Sequence, residues 1–172
     1  MQIPGTAKSS LALLLCLVVC LPLLAGPRGG GEDSGVQVRA RVGGQILLEI
    51  VSGSEISFEV DPIMNPEDSA ATEILIRTNA PRYSIVATFS EFNIGDYDLI
   101  ANEKFFIRSR APGSGRALDD WVVPRGQVTV LENEDGLTEG EVTVVEYLLR
   151  VDFSVPAGEG RLEVVYTAVP LF

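Results

Sequence analysis

From Val36 onward the chain is written in short runs of alternating apolar and polar residues. Val36, Val38, Ala40 and Val42 alternate with Gln37, Arg39 and Arg41. That period of two gives a strand one buried face and one wet face. Gly43-Gly44 reads as a hairpin turn, because glycine accepts the positive φ that tight turns need. Residues 45–51 read as a second strand, more continuously apolar, closed by Ser52-Gly53-Ser54. Residues 55–60 alternate again, with Ile56, Phe58 and Val60 on one face, until Asp61-Pro62 stops the run. Pro62 and Pro66 bracket a loop over residues 61–70, since proline cannot donate to a ladder. Residues 73–78 set Ile74 and Ile76 against Glu73, Leu75 and Arg77, and Asn79-Ala80-Pro81 turns the chain into a strand over 83–89.

The second half repeats the pattern. Residues 91–102, with Asn93, Gly95, Asp96, Asp98 and Asn102, carry loop chemistry. Residues 104–108 predict a short strand, 110–116 a loop, and 121–123 a short edge piece ending at Pro124. Val128 and Val130 alternate through 127–132, and Asn133-Glu134-Asp135-Gly136 turns. Residues 142–155 form a long strand region, 156–160 a tight turn, and Leu162, Val164, Tyr166 and Ala168 mark the last strand. Nowhere do apolar residues recur at helical spacing over three turns. About nine short strands in one domain predict an all-β fold, an antiparallel immunoglobulin-like β-sandwich, with a barrel as the alternative.

The first residues follow another grammar. Lys8 precedes an apolar run from Leu11 to Leu21, which Pro22 interrupts and Leu23-Leu24-Ala25 closes. A basic start, an apolar centre and small residues before a polar chain make a secretory signal. The run is shorter than the ~20 residues that span a bilayer as a helix. The expected division is therefore a signal peptide over 1–25, a Gly-rich flexible linker over 26–35 and a β-sandwich domain over 36–172, with an uncleaved anchor as the alternative. Cleavage leaves no membrane-inserted segment. It places the protein outside the cytoplasm, as a secreted, cell-surface or periplasmic protein.

Composition narrows the chemistry. Both cysteines, Cys16 and Cys20, lie inside the apolar run, so the mature fold rests on its core and not on disulfides. The formal charge is −11, and loss of Lys8 takes it to −12. Such a surface argues against nucleic acid and anionic membranes as partners. The chain has no histidine, which removes the commonest general base and imidazole ligand. Thiol nucleophiles leave with the signal, and Lys104 is the one lysine beyond Lys8. No catalytic constellation is visible, so the expectation is a protein that is not an enzyme.

Three stretches resemble a known kind of protein. Residues 36–51 look like a leading strand pair. Thr72-Glu73-Ile74-Leu75-Ile76-Arg77-Thr78-Asn79-Ala80-Pro81-Arg82-Tyr83-Ser84-Ile85 looks like a middle hairpin. Phe153-Ser154-Val155-Pro156-Ala157-Gly158-Glu159-Gly160, running into Leu162-Glu163-Val164-Val165-Tyr166-Thr167, looks like a closing one. Together they are similar to prokaryotic secreted immunoglobulin-like surface domains of fimbrial, spore-coat or WxL-like type. The resemblance covers about two thirds of the mature chain, lacks the fimbrial disulfide and the Trp-x-Leu sequence, and implies no catalytic residues.

These readings point to candidate sites. Val36, Val38, Ala40 and Val42, on their Gly-rich tether, form a candidate interaction strand for insertion into a neighbour's sheet; the competing reading is an ordinary first strand paired within its own domain. Oxygen-rich loops are candidate calcium sites: Asp96, Asp98 and Asn102 with Glu103, then Asp119 and Asp120, then Glu132, Glu134 and Asp135. Trp121 is a candidate glycan contact, with Tyr97, Tyr83 and Phe106 as companions if exposed together. The function expected is a non-enzymatic structural surface or filament subunit, pilus- or coat-like, whose partners are itself or other surface proteins. The alternative is a monomeric extracellular binding module for calcium or glycan.

Overall fold

A computed structural model describes residues 42–171, apart from Ser114, Asp135 and Leu137. Of the candidate interaction strand, only Val42 falls among the described residues; Val36, Val38 and Ala40, the signal segment and the linker lie outside them. All regular structure among these residues is β. Ten strands build two four-stranded antiparallel sheets and one small hairpin.

The first sheet has the order β1-β2-β9-β6, formed by β1 (Ile46–Ser52), β2 (Glu67–Thr78), β9 (Thr138–Arg150) and β6 (Phe105–Arg110). The second has the order β10-β3-β8-β7, formed by β10 (Val164–Pro170), β3 (Tyr83–Phe89), β8 (Gln127–Asn133) and β7 (Arg116–Ala117). The hairpin joins β4 (Asn93–Ile94) to β5 (Tyr97–Asp98). The alternation seen in the sequence is the alternation of faces. Ile74, Ile76, Phe105, Ile107, Val145, Tyr147 and Leu149 from the first sheet meet Tyr83, Ile85, Ala87, Phe89, Val130 and Leu131 from the second in one core. The protein is thus a β-sandwich.

Phe105 is the centre of that core. Its ring lies edge-on to Phe58, Phe89 and Phe92, with centroids 6.3, 6.4 and 5.3 Å away, and stacks on Tyr147 at 6.0 Å. Edge-to-face contacts set the positive rim of one ring on the negative face of the next. Ser109 ties the sheets together in polar fashion. Its buried hydroxyl donates to the Val130 carbonyl and accepts the Leu118 N–H at 2.8 Å.

Three departures from the expected strands shape the side of the sandwich where β1 and β10 lie. First, Gly43-Gly44 is not a hairpin turn. Neither glycine has a positive φ, which the type I′ and II′ turns require. Asn79 instead straps the chain as it enters β1: it donates from Nδ2 to the Gly43 carbonyl at 3.0 Å, and its Oδ1 accepts the Gln45 N–H at 2.6 Å. Second, residues 55–60 alternate as expected but join no ladder among the described residues. A register shift at Ile50/Ser52 and the positive φ of Gly53, +67°, lift the chain off β2. Third, β2 is twelve residues long and begins at Glu67, so the Pro-bracketed loop is shorter than expected.

Two substitutions test this arrangement. A Cβ on Gly53 would sit 2.1 Å from the Ala71 carbonyl oxygen, in a backbone conformation that side chains resist. Gly53→Ala is expected to cost more than about 2 kcal/mol by urea denaturation, because strain and clash add. Phe105→Ala, which empties the centre of the core, is expected to cost about 3–5 kcal/mol in the same assay.

Candidate functional site

Among the described residues no ladder joins the two sheets where β1 and β10 lie. Among the described residues β1 pairs only with β2, and β10 pairs only with β3. Each therefore presents a free edge of unpaired N–H and C=O groups. Where the chain leaves β1 and before it enters β10, between residues 53–61 and 158–166, lies a groove of about 1310 Å³. It exceeds the ~300–1,000 Å³ of small-molecule pockets.

Its two walls come from the segments that leave the ladders. Ile56, Phe58 and Val60 form one wall, continuing the line of β1; Leu162, Val164 and Tyr166 form the other, leading into and along β10. All six point toward the core, yet all six stay half-buried. Ile50 also lines the groove and is 46% exposed, although its neighbour across the ladder, Ile74, is fully buried. Inward-facing apolar side chains left open to water indicate a layer of cover that the described residues do not supply. Phe92, Leu99, Phe105, Tyr147 and Leu149 form the floor.

The walls are held by local polar contacts. Asp68 accepts the Glu59 N–H at 3.2 Å, and Asn65 Nδ2 donates to the Glu59 carbonyl at 2.7 Å. These side chains replace the ladder bonds that residues 55–60 lack. On the opposite wall Ser90 and Glu163 exchange hydrogen bonds, with the Glu163 N–H reaching Ser90 Oγ at 2.9 Å and the Ser90 N–H reaching the Glu163 carbonyl at 3.0 Å. At the floor Tyr147 donates to Thr72 Oγ1 at 3.2 Å, and its hydroxyl is hydrogen-bonded to that of Tyr166. Burial pushes both phenols above the ordinary tyrosine range.

The expected calcium loops do not assemble a site. Asp98 Oδ1 accepts the N–H groups of Ile100 and Ala101 at 2.8 and 3.0 Å, and Asn102 Nδ2 donates to the Asp98 carbonyl, so both hold their own turn. Asp96 is exposed beyond that turn, and Asp119 and Asp120 are exposed in the loop before Trp121. Glu103 pairs with Arg125, Glu132 with Arg116, and Glu134 with Arg82, while Asp135 lies outside the described residues. No three acidic groups converge to hold a metal among the described residues.

The aromatic residues are likewise dispersed. Tyr83 is fully buried in the core, which removes it from any exposed platform. Trp121 lies under the Arg108 guanidinium, 4.5 Å from the ring centroid, and Phe106 under Arg150 at 5.5 Å. Tyr97 is half-buried in β5, its hydroxyl 3.2 Å from Ser154 Oγ. The groove itself was hidden from sequence reasoning, because its signal is the absence of a ladder partner for residues 55–60. No protein-family model matches the chain, and no curated protein sequence matches it either.

The buried phenols make stability depend on alkaline pH. A tyrosine whose folded pKa is raised contributes stability that is full below its unfolded value near 10 and is lost as pH rises beyond it. The melting temperature is therefore expected to fall steeply above about pH 10. Tyr83, Tyr147 and Tyr166 are expected to show tyrosinate absorbance only as the protein unfolds. Smooth titration of all four tyrosines in the folded protein near the ordinary value would contradict the buried placement.

Proposed function

We propose that this protein is a secreted, non-enzymatic structural subunit of a cell surface or filament, which joins copies of itself or other surface proteins by exchanging a strand. The observation that carries this reading is the open groove beside two free strand edges, with half-buried core residues along both walls. A donated strand satisfies both needs together. Its main chain pairs with an exposed edge, and alternate side chains fill the core beneath.

The strand suited to this task is 36–42. Val36, Val38, Ala40 and Val42 alternate with polar residues in the sequence, so pairing as a strand would put them on one face, and each valine so buried contributes about 1.5–3 kcal/mol before ordering costs. Gly43 and Gly44 do not form the two-residue primed turn that would fold this run tightly back onto β1, since both lack positive φ. Val42 is 81% exposed, and nothing approaches within 4 Å of where a Gly43 Cβ would stand. The secretory signal and the resemblance to fimbrial and spore-coat domains fit the same role. The calcium and glycan reading draws no comparable support, because its acidic residues do not converge among the described residues and its aromatic residues are dispersed.

Placing a charge on the donated face tests the reading. Val38→Asp buries an unpaired carboxylate in the groove. It is expected to convert associated protein to monomer in light scattering and to leave the melting temperature of the monomer unchanged. Amides on the free edge of β10 are expected to exchange slowly in the assembled protein and fast in the variant. A wild-type chain that stays monomeric at high concentration, with that edge unprotected, would sink the proposal.

A further inference from the structure

Four large apolar side chains stand out from the surface: Val42 at 81% exposure, Ile63 at 72%, Met64 at 86% and Phe153 at 82%. They are not scattered. Val42 lies next to the Asn79 strap, at the end of β2 that closes with Thr78. Ile63, Met64 and Phe153 lie at the other end, where β2 opens at Glu67 opposite Arg150. Twelve residues of strand put these ends about 40 Å apart.

The second group is displayed on two braced turns. Asp61 Oδ1 accepts the N–H groups of Ile63 and Met64, both at 2.8 Å, and the Asp61 and Asn65 main chains bond reciprocally. Those amides hold the Asp61 carboxyl below the usual carboxylate range. Phe153 rides on a turn where Asp152 Oδ1 accepts the Ser154 N–H at 2.9 Å and Lys104 bonds Asp152 Oδ2 at 2.6 Å. The Val151 N–H reaches the Pro66 carbonyl at 2.7 Å and ties the two turns into one tip. Side chains this apolar, on loops this firmly fixed, are matched to a surface that covers them.

We propose that this tip is the seat for a second copy of the chain, which docks with the end that carries Val42. The inference rests on the strand-exchange reading and adds the contact between the two sandwich bodies. Three observations fix the occupant. Val60, Asp61 and Asn65 line the groove and carry the tip, so the tip is the groove's mouth. Only Gly43 and Gly44 separate a donated strand from Gln45, which is anchored to Asn79. Two residues span at most about 7 Å, so the donor's body must abut whichever end its strand leaves. The inference takes β10 as the receiving edge, because a strand antiparallel to β1, which runs the opposite way, would leave from the Thr78 end, far from the exposed tip. β10 runs from the tip end toward Pro170, opposite Tyr83. A strand antiparallel to β10, the more stable pairing, has its Val42 end at the tip. The result is a head-to-tail contact between unlike surfaces, which propagates as an open filament.

The test uses the full chain and its variant I63S/M64S/F153S, whose changes fall on exposed side chains. A synthetic peptide of residues 34–42 is the probe for the groove, titrated into each protein in the Val38→Asp background. The peptide fills the groove without bringing a body, so both proteins are expected to bind it with affinities within twofold. By sedimentation velocity, with Val38 restored, the tip variant is expected to assemble at least tenfold more weakly than wild type. Oxidation of a chain carrying Met64→Cys and Gly44→Cys is expected to give a ladder of disulfide-linked chains. Unchanged assembly of the tip variant overturns the seat while leaving strand exchange in place. Crosslinks through Gly44→Cys alone overturn the head-to-tail geometry. Failure of the peptide to bind either protein, with no association of the wild type, removes the strand-exchange reading and this inference with it.

Discussion

A sandwich of two sheets is stable only while both inner faces are covered, and the groove beside β1 and β10 is where the described residues fall short of that condition. Elsewhere the condition is met. Phe105 anchors four aromatic neighbours, and Ser109 closes the polar gap between β6 and β8. Beside β1 and β10, Ile56, Phe58 and Val60 face Leu162, Val164 and Tyr166 across a groove that none of them fills. The free-energy cost of wetting these side chains is the driving force available to whatever covers them.

The groove is built into the backbone. A loop that frayed would not hold its width. Here Gly53 lifts the chain from β2 at φ +67°, and Thr72 fixes the departure by donating from Oγ1 to the Gly53 carbonyl at 2.8 Å. Asp68 and Asn65 then pin Glu59 from the side. Ladder bonds have been exchanged for side-chain bonds, so the wall remains extended while its main chain leaves the sheet. Local side-chain bonds hold both walls, and a wall fixed in this way lowers the ordering cost of filling the groove.

The strands themselves were legible because a half-buried strand writes its two faces into alternate residues. Tyr83, Ile85, Ala87 and Phe89 announce β3 in this way, and Leu149 and Val145 announce β9. What the alternation cannot encode is the partner. Ile56, Phe58 and Val60 show the same period as a paired strand, since period two reports only that one face is dry. Gly43-Gly44 is ambiguous for a related reason: glycine permits a turn without imposing one. The acidic loops misled through closeness in sequence. Asp98 and Asn102 sit four apart, but their polar atoms turn back onto local amides. Trp121 was open to a sugar in sequence, and only the pairing of β6 with its neighbours brings Arg108 over its ring.

Charge decides what kind of force can join such molecules. The full chain carries −11, so identical copies repel at long range, with or without residues 1–25, and that repulsion weakens as salt shortens the screening length. The sandwich has also spent much of its positive charge internally. Arg77 pairs with Glu49, Arg108 and Arg110 share Glu146, and Arg150 pairs with Glu67. Few arginines among the described residues are left to recognise an acidic partner by attraction. The proposed association would therefore rest on short-range terms, namely main-chain hydrogen bonds along a strand edge and burial of apolar side chains in the groove and at its mouth. Those terms act only once the surfaces are in register, whereas the repulsion acts before contact. Under the proposed strand exchange, such a balance would reject loose, unregistered encounters between copies and hold those in which a strand lies along the groove.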